Sequence, residues 1–184
     1  MDEAAKIFAG IHMFAAFDDV VNFHGHSCPG LAIGYRMTCA ALQALQSLRS
    51  EDEEIVAIVE NNACGADAVQ FVAGCTFGKG NLVFRDWGKH VYTLYSRKTG
   101  AGVRVSFHGR GIPEGLRDDR EAFTRWVLAA PADALLAISE VMIDEPGPAR
   151  IHQSKPCSVC GESVMETRLR EIGGRQVCIP CSSK

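Results

Sequence analysis

Two histidines and a cysteine occupy every second position within the stretch Asn22–Gly34, as His24, His26 and Cys28. Side chains of an extended segment alternate between faces, so these three can look into a single cavity. Pro29 comes next and suits the first turn of a helix. From Leu31 to Leu48 there is no further Pro, and that stretch reads as the helix. Cys28 therefore falls at a helix N-terminus, where unpaired N–H groups and the helix dipole favour an anion. Such a position lowers a thiol pKa and yields thiolate, the form that attacks electrophiles and binds metals. Imidazole and thiolate together are the usual ligands of zinc and its neighbours. The plainer reading of each residue, a buried apolar thiol or a hydrogen-bonded histidine, loses ground because three of them stand in register.

A second thiol repeats the pattern. Glu54–Glu60 is an almost unbroken apolar run between acids, as expected of a buried strand. Asn61, Asn62 and Gly65 mark a turn around Cys64, and Ala66–Ala73 reads as a short helix. Cys64 thus follows strand and loop at another helix N-terminus. Asp67 lies in that helix's first turn, where it either suits the dipole or acts as a general base or supporting partner in the same cavity. Cys39 lies inside the Leu31–Leu48 helix without any spacing signal and is assigned to the core. Gly74–Asn81 is glycine-rich but lacks the Walker A arrangement. It reads as a loop whose Lys79 could lend charge to the cavity.

The remaining four of the eight cysteines form a second group: Cys157-Ser-Val-Cys160, seventeen residues, then Cys178-Ile-Pro-Cys181. Two tight turns, each delivering two thiolates, complete a tetrahedron around zinc. A rubredoxin-like iron site is the competitor for four thiolates. Segment 151–184, with a hairpin suggested by Gly173-Gly174, is too small to bury a sufficient core, so the metal must supply folding energy.

The elements that position these residues follow from periodicity. Ile7, Ile11 and Phe14 predict an amphipathic helix over residues 3–20. Gly30, Gly34, Ala40 and Ala41 give the second helix small positions where another element can approach closely. Three alternating strands follow, around Leu82–Phe84, Val91–Tyr95 and Val103–Phe107, and their short loops imply antiparallel pairing. His108 ends the third and is expected to be exposed; His12 and His90 carry no motif. Phe123, Trp126, Val127 and Ala130 predict a helix ended by Pro131. A short helix near Ala132–Ile138 and a strand near Val141–Ile143 complete the core. The fold class is α+β: an antiparallel or mixed sheet flanked by helices over residues 1–145, a linker over 146–156, and a zinc-ribbon module over 157–184.

Bulk properties set the outer limits. In 184 residues, 47% hydrophobic and 22% charged, the chain is globular. The acidic start lacks a signal peptide's basic and apolar regions, and no run reaches the ~20 apolar residues of a membrane helix. A cytoplasmic protein is expected, so the cysteines speak for metal or catalysis rather than disulfides. Net charge is −3. In the tail Lys155, Arg168, Arg170, Arg175 and Lys184 outnumber Glu162, Glu166 and Glu171, a footprint too weak to point to nucleic acid. A protein partner fits better.

Several blocks in order, Phe23–Gly30, Glu60–Ala68, Gly74–Asn81 and Asp86–Lys89, resemble the FmdE family of formylmethanofuran dehydrogenase components. The four-cysteine tail resembles the zinc ribbon that many members append. The resemblance implies that Cys28 and Cys64, with His24, His26 and Asp67, line an active cavity, and that the protein is a homodimer. The family's namesake is a molybdenum or tungsten pterin complex that reduces carbon dioxide, its pterin and clusters held by other components; members also resemble stand-alone proteins. Two functional classes therefore compete. One is a metal- or thiol-dependent component of one-carbon redox metabolism, with Cys28 and Cys64 as ligands of a second transition metal or as nucleophiles. The other is a non-catalytic metal-binding accessory or regulatory protein whose zinc module docks to a larger redox complex. No complete hydrolase, kinase or dinucleotide motif is present.

Overall fold

The computed structural model describes residues 14–183, and the chain divides into two compact units, Met1–Pro148 and Ala149–Lys184. Helix α1 is Phe17–His24, with Asp18 and Asp19 in its first turn and His24 in its last, as the helix dipole favours. Most of the helix expected over 3–20 lies outside the described residues. Within them the helical stretch starts later, at Phe17, and runs through His24. Gly25 then closes α1 at φ +96°, its N–H donating to the Val21 carbonyl at 2.7 Å. Glycine takes this left-handed conformation without the steric cost of a Cβ.

Helix α2, Pro29–Ala44, begins with Cys28 as N-cap and Pro29 in its first turn. It stops four residues short of Leu48 without help from proline. Gln46 adopts φ +50°, and Ser47 N–H reaches back to the Leu42 carbonyl at 2.9 Å, a Schellman-type closure. Eleven of the sixteen residues of α2 are buried, because the helix lies over the sheet and between other helices.

Five strands, β1 Ile55–Val59, β2 Leu82–Phe84, β3 Val91–Ser96, β4 Gly102–Phe107 and β5 Leu136–Val141, form one mixed sheet in the order β2-β1-β3-β4-β5. The expectation that β2 and β3 pair does not hold. Both flank β1, β2 parallel to it and β3 antiparallel. β1 is buried along its whole length, which explains its uninterrupted apolar sequence. The last core strand starts earlier than expected: its preceding helix is only Ala132–Leu135, and β5 pairs with β4 from Leu136 onward.

Helix α3, Gly65–Ala68, runs on into a wider π-helical turn, Val69–Ala73. Helix α4, Arg120–Ala129, is capped by Asp119, whose Oδ1 accepts from Glu121 and Ala122 N–H. Its far end is held by buried Arg36 of α2, whose guanidinium donates to the carbonyls of Val127, Leu128 and Ala130 at 2.6–2.8 Å. The short helix Ala132–Leu135 is α5.

The second unit is built of two hairpins, β6 Ser154–Pro156 with β7 Ser163–Met165 and β8 Leu169–Ile172 with β9 Arg175–Cys178, then α6 Ile179–Ser182. Pairing thus begins at Ser154, within the stretch expected to be linker. Only Cys157, Val177 and Cys178 form its buried apolar cluster among the described residues.

Candidate metal centres

Backbone contact between two glycines brings the core thiols together. A Cβ on Gly34 of α2 would stand 2.3 Å from the Gly65 Cα, and one on Gly65 would stand 2.3 Å from the Tyr92 hydroxyl. The two helices therefore touch backbone to backbone, close to the N-termini that carry Cys28 and Cys64. Cys28 is in extended conformation, and its Sγ accepts the Leu31 N–H at 3.4 Å. His24 is not part of an extended segment, as the alternation argument supposes. It ends α1, and the left-handed turn at Gly25 redirects the chain so that His26 and Cys28 come back to it. The two imidazoles lie 4.5 Å apart. One donor atom each from His24, His26, Cys28 and Cys64 lies within 4.8 Å of all the others.

Hydrogen bonds orient this cluster. His24 Nδ1 is 2.7 Å from Asp67 Oδ2, and Gln70 donates to Asp67 Oδ1 at 3.1 Å. His24 Nε2 is buried without a hydrogen-bond partner. An orphaned buried nitrogen is costly. A histidine held by a carboxylate through one nitrogen, with the other free, is the usual posture of a metal ligand. Burial, followed by the adjacent Cys28 sulfur, pushes the Cys64 thiol up. That opposes the lowering expected at a helix N-terminus. Two desolvated sulfurs side by side cannot both ionise unless a cation compensates them. Two thiolates and two imidazoles, one of them with its second nitrogen orphaned, suit zinc or a similarly soft ion.

The cluster opens on a cavity of about 320 Å³. His24, Cys64, Asp67 and Gln70 lie on one side and Val59, Leu82, Phe77 and Phe84 among the others. Asn61 is committed to structure: its Nδ2 donates to the Lys89 carbonyl and its Oδ1 accepts the Ala63 N–H. Lys79 does not serve this cavity, since its Nζ donates to the Ser50 and Glu51 carbonyls. Cys39 and Cys75 are buried, and burial pushes both thiols up to about 12. His108 is half-buried rather than fully exposed, and its Nδ1 accepts the Arg110 N–H. Gln70, Phe77 and Phe84 escape a reading of the sequence alone. Only Gln70 carries a signal there, standing three residues after Asp67 on one helix face.

In the second unit Cys157, Cys160, Cys178 and Cys181 place their sulfurs within 4.8 Å of one another. The backbone N–H groups of Cys160, Cys178 and Val159 bring the Cys157 thiol down to about 6. Crowding by the Cys178 sulfur pushes Cys181 up to about 12. The backbone thus prepares one thiolate, and a cation is required for the rest. This module is a four-cysteine structural zinc site.

The molecule therefore comprises an α+β domain with a Cys/His cluster at the start of its second helix, and a zinc finger. The chain belongs to the FmdE family, whose model, described as FmdE, molybdenum formylmethanofuran dehydrogenase operon, matches residues 23–140. The prokaryotic dksA/traR C4-type zinc finger matches residues 147–184. A crystal structure of a tungsten formylmethanofuran dehydrogenase FmdE-like protein from Syntrophus aciditrophicus is similar at 27% identity and a TM-score of 0.70, covering 90% of this chain and 89% of that one. A probable S-adenosyl-L-methionine-binding protein of Archaeoglobus fulgidus is 30% identical over 87% of this chain. This chain spans about half the length of that relative, 50%. Among the described residues no helix is long and apolar enough to cross a membrane.

Proposed function

We propose that the core is a metal-dependent small-molecule site, with His24, His26, Cys28 and Cys64 as the ligands of a second, zinc-like ion. The observation that carries this reading is His24, fixed through Nδ1 by Asp67 with its buried Nε2 left without a hydrogen-bond partner, in a cluster whose donor atoms lie within 4.8 Å of one another. A metal bound there would supply Lewis acidity beside the cavity. The protein's own residues do the rest. Asp67 keeps the His24 ring in one tautomer and orientation, Gln70 fixes Asp67, and buried Val59 and Leu82 give the cavity an apolar wall.

Family membership supports a place in one-carbon redox metabolism, as an oxidoreductase component that is cytoplasmic, homodimeric and able to join a molybdenum or tungsten complex. Residues 1–145 would carry the chemistry, and the zinc module would engage the partner. Elemental analysis tests the metal assignment: two zinc ions per purified chain, falling to one in His24→Ala or Cys64→Ser. One ion in the unaltered chain overturns it.

A second reading, a binding protein without catalysis, is supported by the name of the Archaeoglobus relative, which points to S-adenosyl-L-methionine. The cavity favours it too, because among the described lining residues the titratable groups besides the donor set reduce to Asp67.

A further inference from the structure

The walls of the core cavity are informative about charge. Among its described lining residues there is no lysine or arginine. The cations closest in sequence to those residues are turned elsewhere. Lys79, two residues from Phe77, grips the Ser50 and Glu51 carbonyls. Arg85, next to Phe84, lines a different cavity with Ile58 and Val83 and lies 5.2 Å from the Trp87 ring centroid. Lys89, five residues from Phe84, has its Nζ 5.8 Å from the same Trp87 ring centroid. What remains is Asp67, whose side chain is 38% exposed.

Asp67 is the only carboxylate among the described lining residues, and its Oδ2 lies 2.7 Å from His24 Nδ1. Around it stand two aromatic rings open to solvent, Phe77 at 65% and Phe84 at 37% exposure. Large exposed aromatics beside a cleft mark a binding surface, and the face of such a ring attracts cations.

We propose that this cavity binds an onium ligand, a methylated sulfonium or ammonium centre seated against Phe77 and Phe84, with Asp67 providing the negative potential. The inference deepens the binding reading above and rests on this cavity being the ligand site. It assigns Phe77 and Phe84 to ligand recognition and excludes small anions as the favoured occupants.

Titration calorimetry on the full-length, zinc-loaded chain tests it with four probes: choline, trimethylsulfonium, the neutral choline isostere 3,3-dimethyl-1-butanol, and formate. Both cations should bind, the isostere about tenfold more weakly, in keeping with cation–π energies, and formate should not displace them. Phe77→Leu and Phe84→Leu should each weaken the cations about three- to tenfold and erase the preference over the isostere, with zinc content unchanged. Equal binding of choline and its isostere, no binding of either cation, displacement by formate, or unaffected Phe variants would each overturn the proposal. Zinc content measured on the same samples separates the two readings. Cation binding with one zinc per chain removes the metal assignment alone, and two zincs without cation binding remove this one alone.

Discussion

Replacing either of two glycines in α2 by alanine should have opposite consequences. A Cβ on Gly34 would lie 2.3, 2.6 and 2.8 Å from the Cα, O and C atoms of Gly65. All three are backbone atoms, so no rotamer relieves the overlap. Reaching the ~3.5 Å of ordinary carbon contact requires α2 and α3 to part by about 1 Å. Overpacking of this kind costs about 1–3 kcal/mol, while alanine's higher helix propensity returns up to ~1 kcal/mol. The net loss for Gly34→Ala is then about 1–2 kcal/mol, near the upper end because the clash is backbone on backbone. For a domain of this size that lowers the melting temperature by roughly 3–8 °C. The same displacement carries Cys64, adjacent to Gly65, away from Cys28, so the core metal should be lost as well. Gly30 is the control, since its Cβ would meet Cys64 Cβ at 3.6 Å, an ordinary contact. Gly30→Ala should be neutral or slightly stabilising and keep the metal. Calorimetric melting and zinc stoichiometry of both variants decide the matter. An unchanged or raised melting temperature in Gly34→Ala would refute the argument that the two backbones are in contact.

Other outcomes are equally specific. Asp67→Asn should lower core-metal affinity about 10–100-fold, read by competition with a chelating dye, and wild-type affinity would show that the carboxylate does not orient His24. Cys157→Ser should remove the tail zinc and the amide protection of the β8–β9 hairpin, leaving β1–β5 protected; a protected hairpin would mean the module folds without its metal. Cys39 and Cys75, both pushed up to about 12 from an ordinary 9.0, stay protonated in the folded chain at pH values where the unfolded chain has lost those protons. Their contribution is complete below pH 9 and is lost as pH rises toward 12. Urea midpoints should fall across that window, and less steeply in Cys75→Ala.

The parts of this molecule that announce themselves in sequence are those set by local chemistry. Pro29 behind Cys28 and the two Cys-X-X-Cys pairs identify helix start and zinc knuckles because single residues dictate the backbone there. Gly34 likewise signals a close approach. What is not legible depends on partners distant in sequence. β2 reads as the first strand of a meander, yet it pairs in parallel with β1, and three alternating residues cannot show on which side they will lie. The period-two spacing of His24, His26 and Cys28 suggests a strand. The structure gathers them through a helix end and a glycine turn, a different route to the same proximity. Phe77 carries no pattern, and the alternation of Leu82 and Phe84 marks a strand but not the cavity, since a wall assembled from separate segments leaves no common spacing.

Arg36 has a consequence for the order in which the core comes apart. Its guanidinium is buried and holds three carbonyls at the negative end of α4, a pairing of cation and helix terminus without a carboxylate. Fraying of α4 from that end would strand a desolvated positive charge, and removal of α2 would strand three carbonyls. Neither helix can therefore peel away singly. Their amides should exchange with solvent only when both open together, so α2 and α4 form one cooperative block, although more than seventy residues of chain separate them.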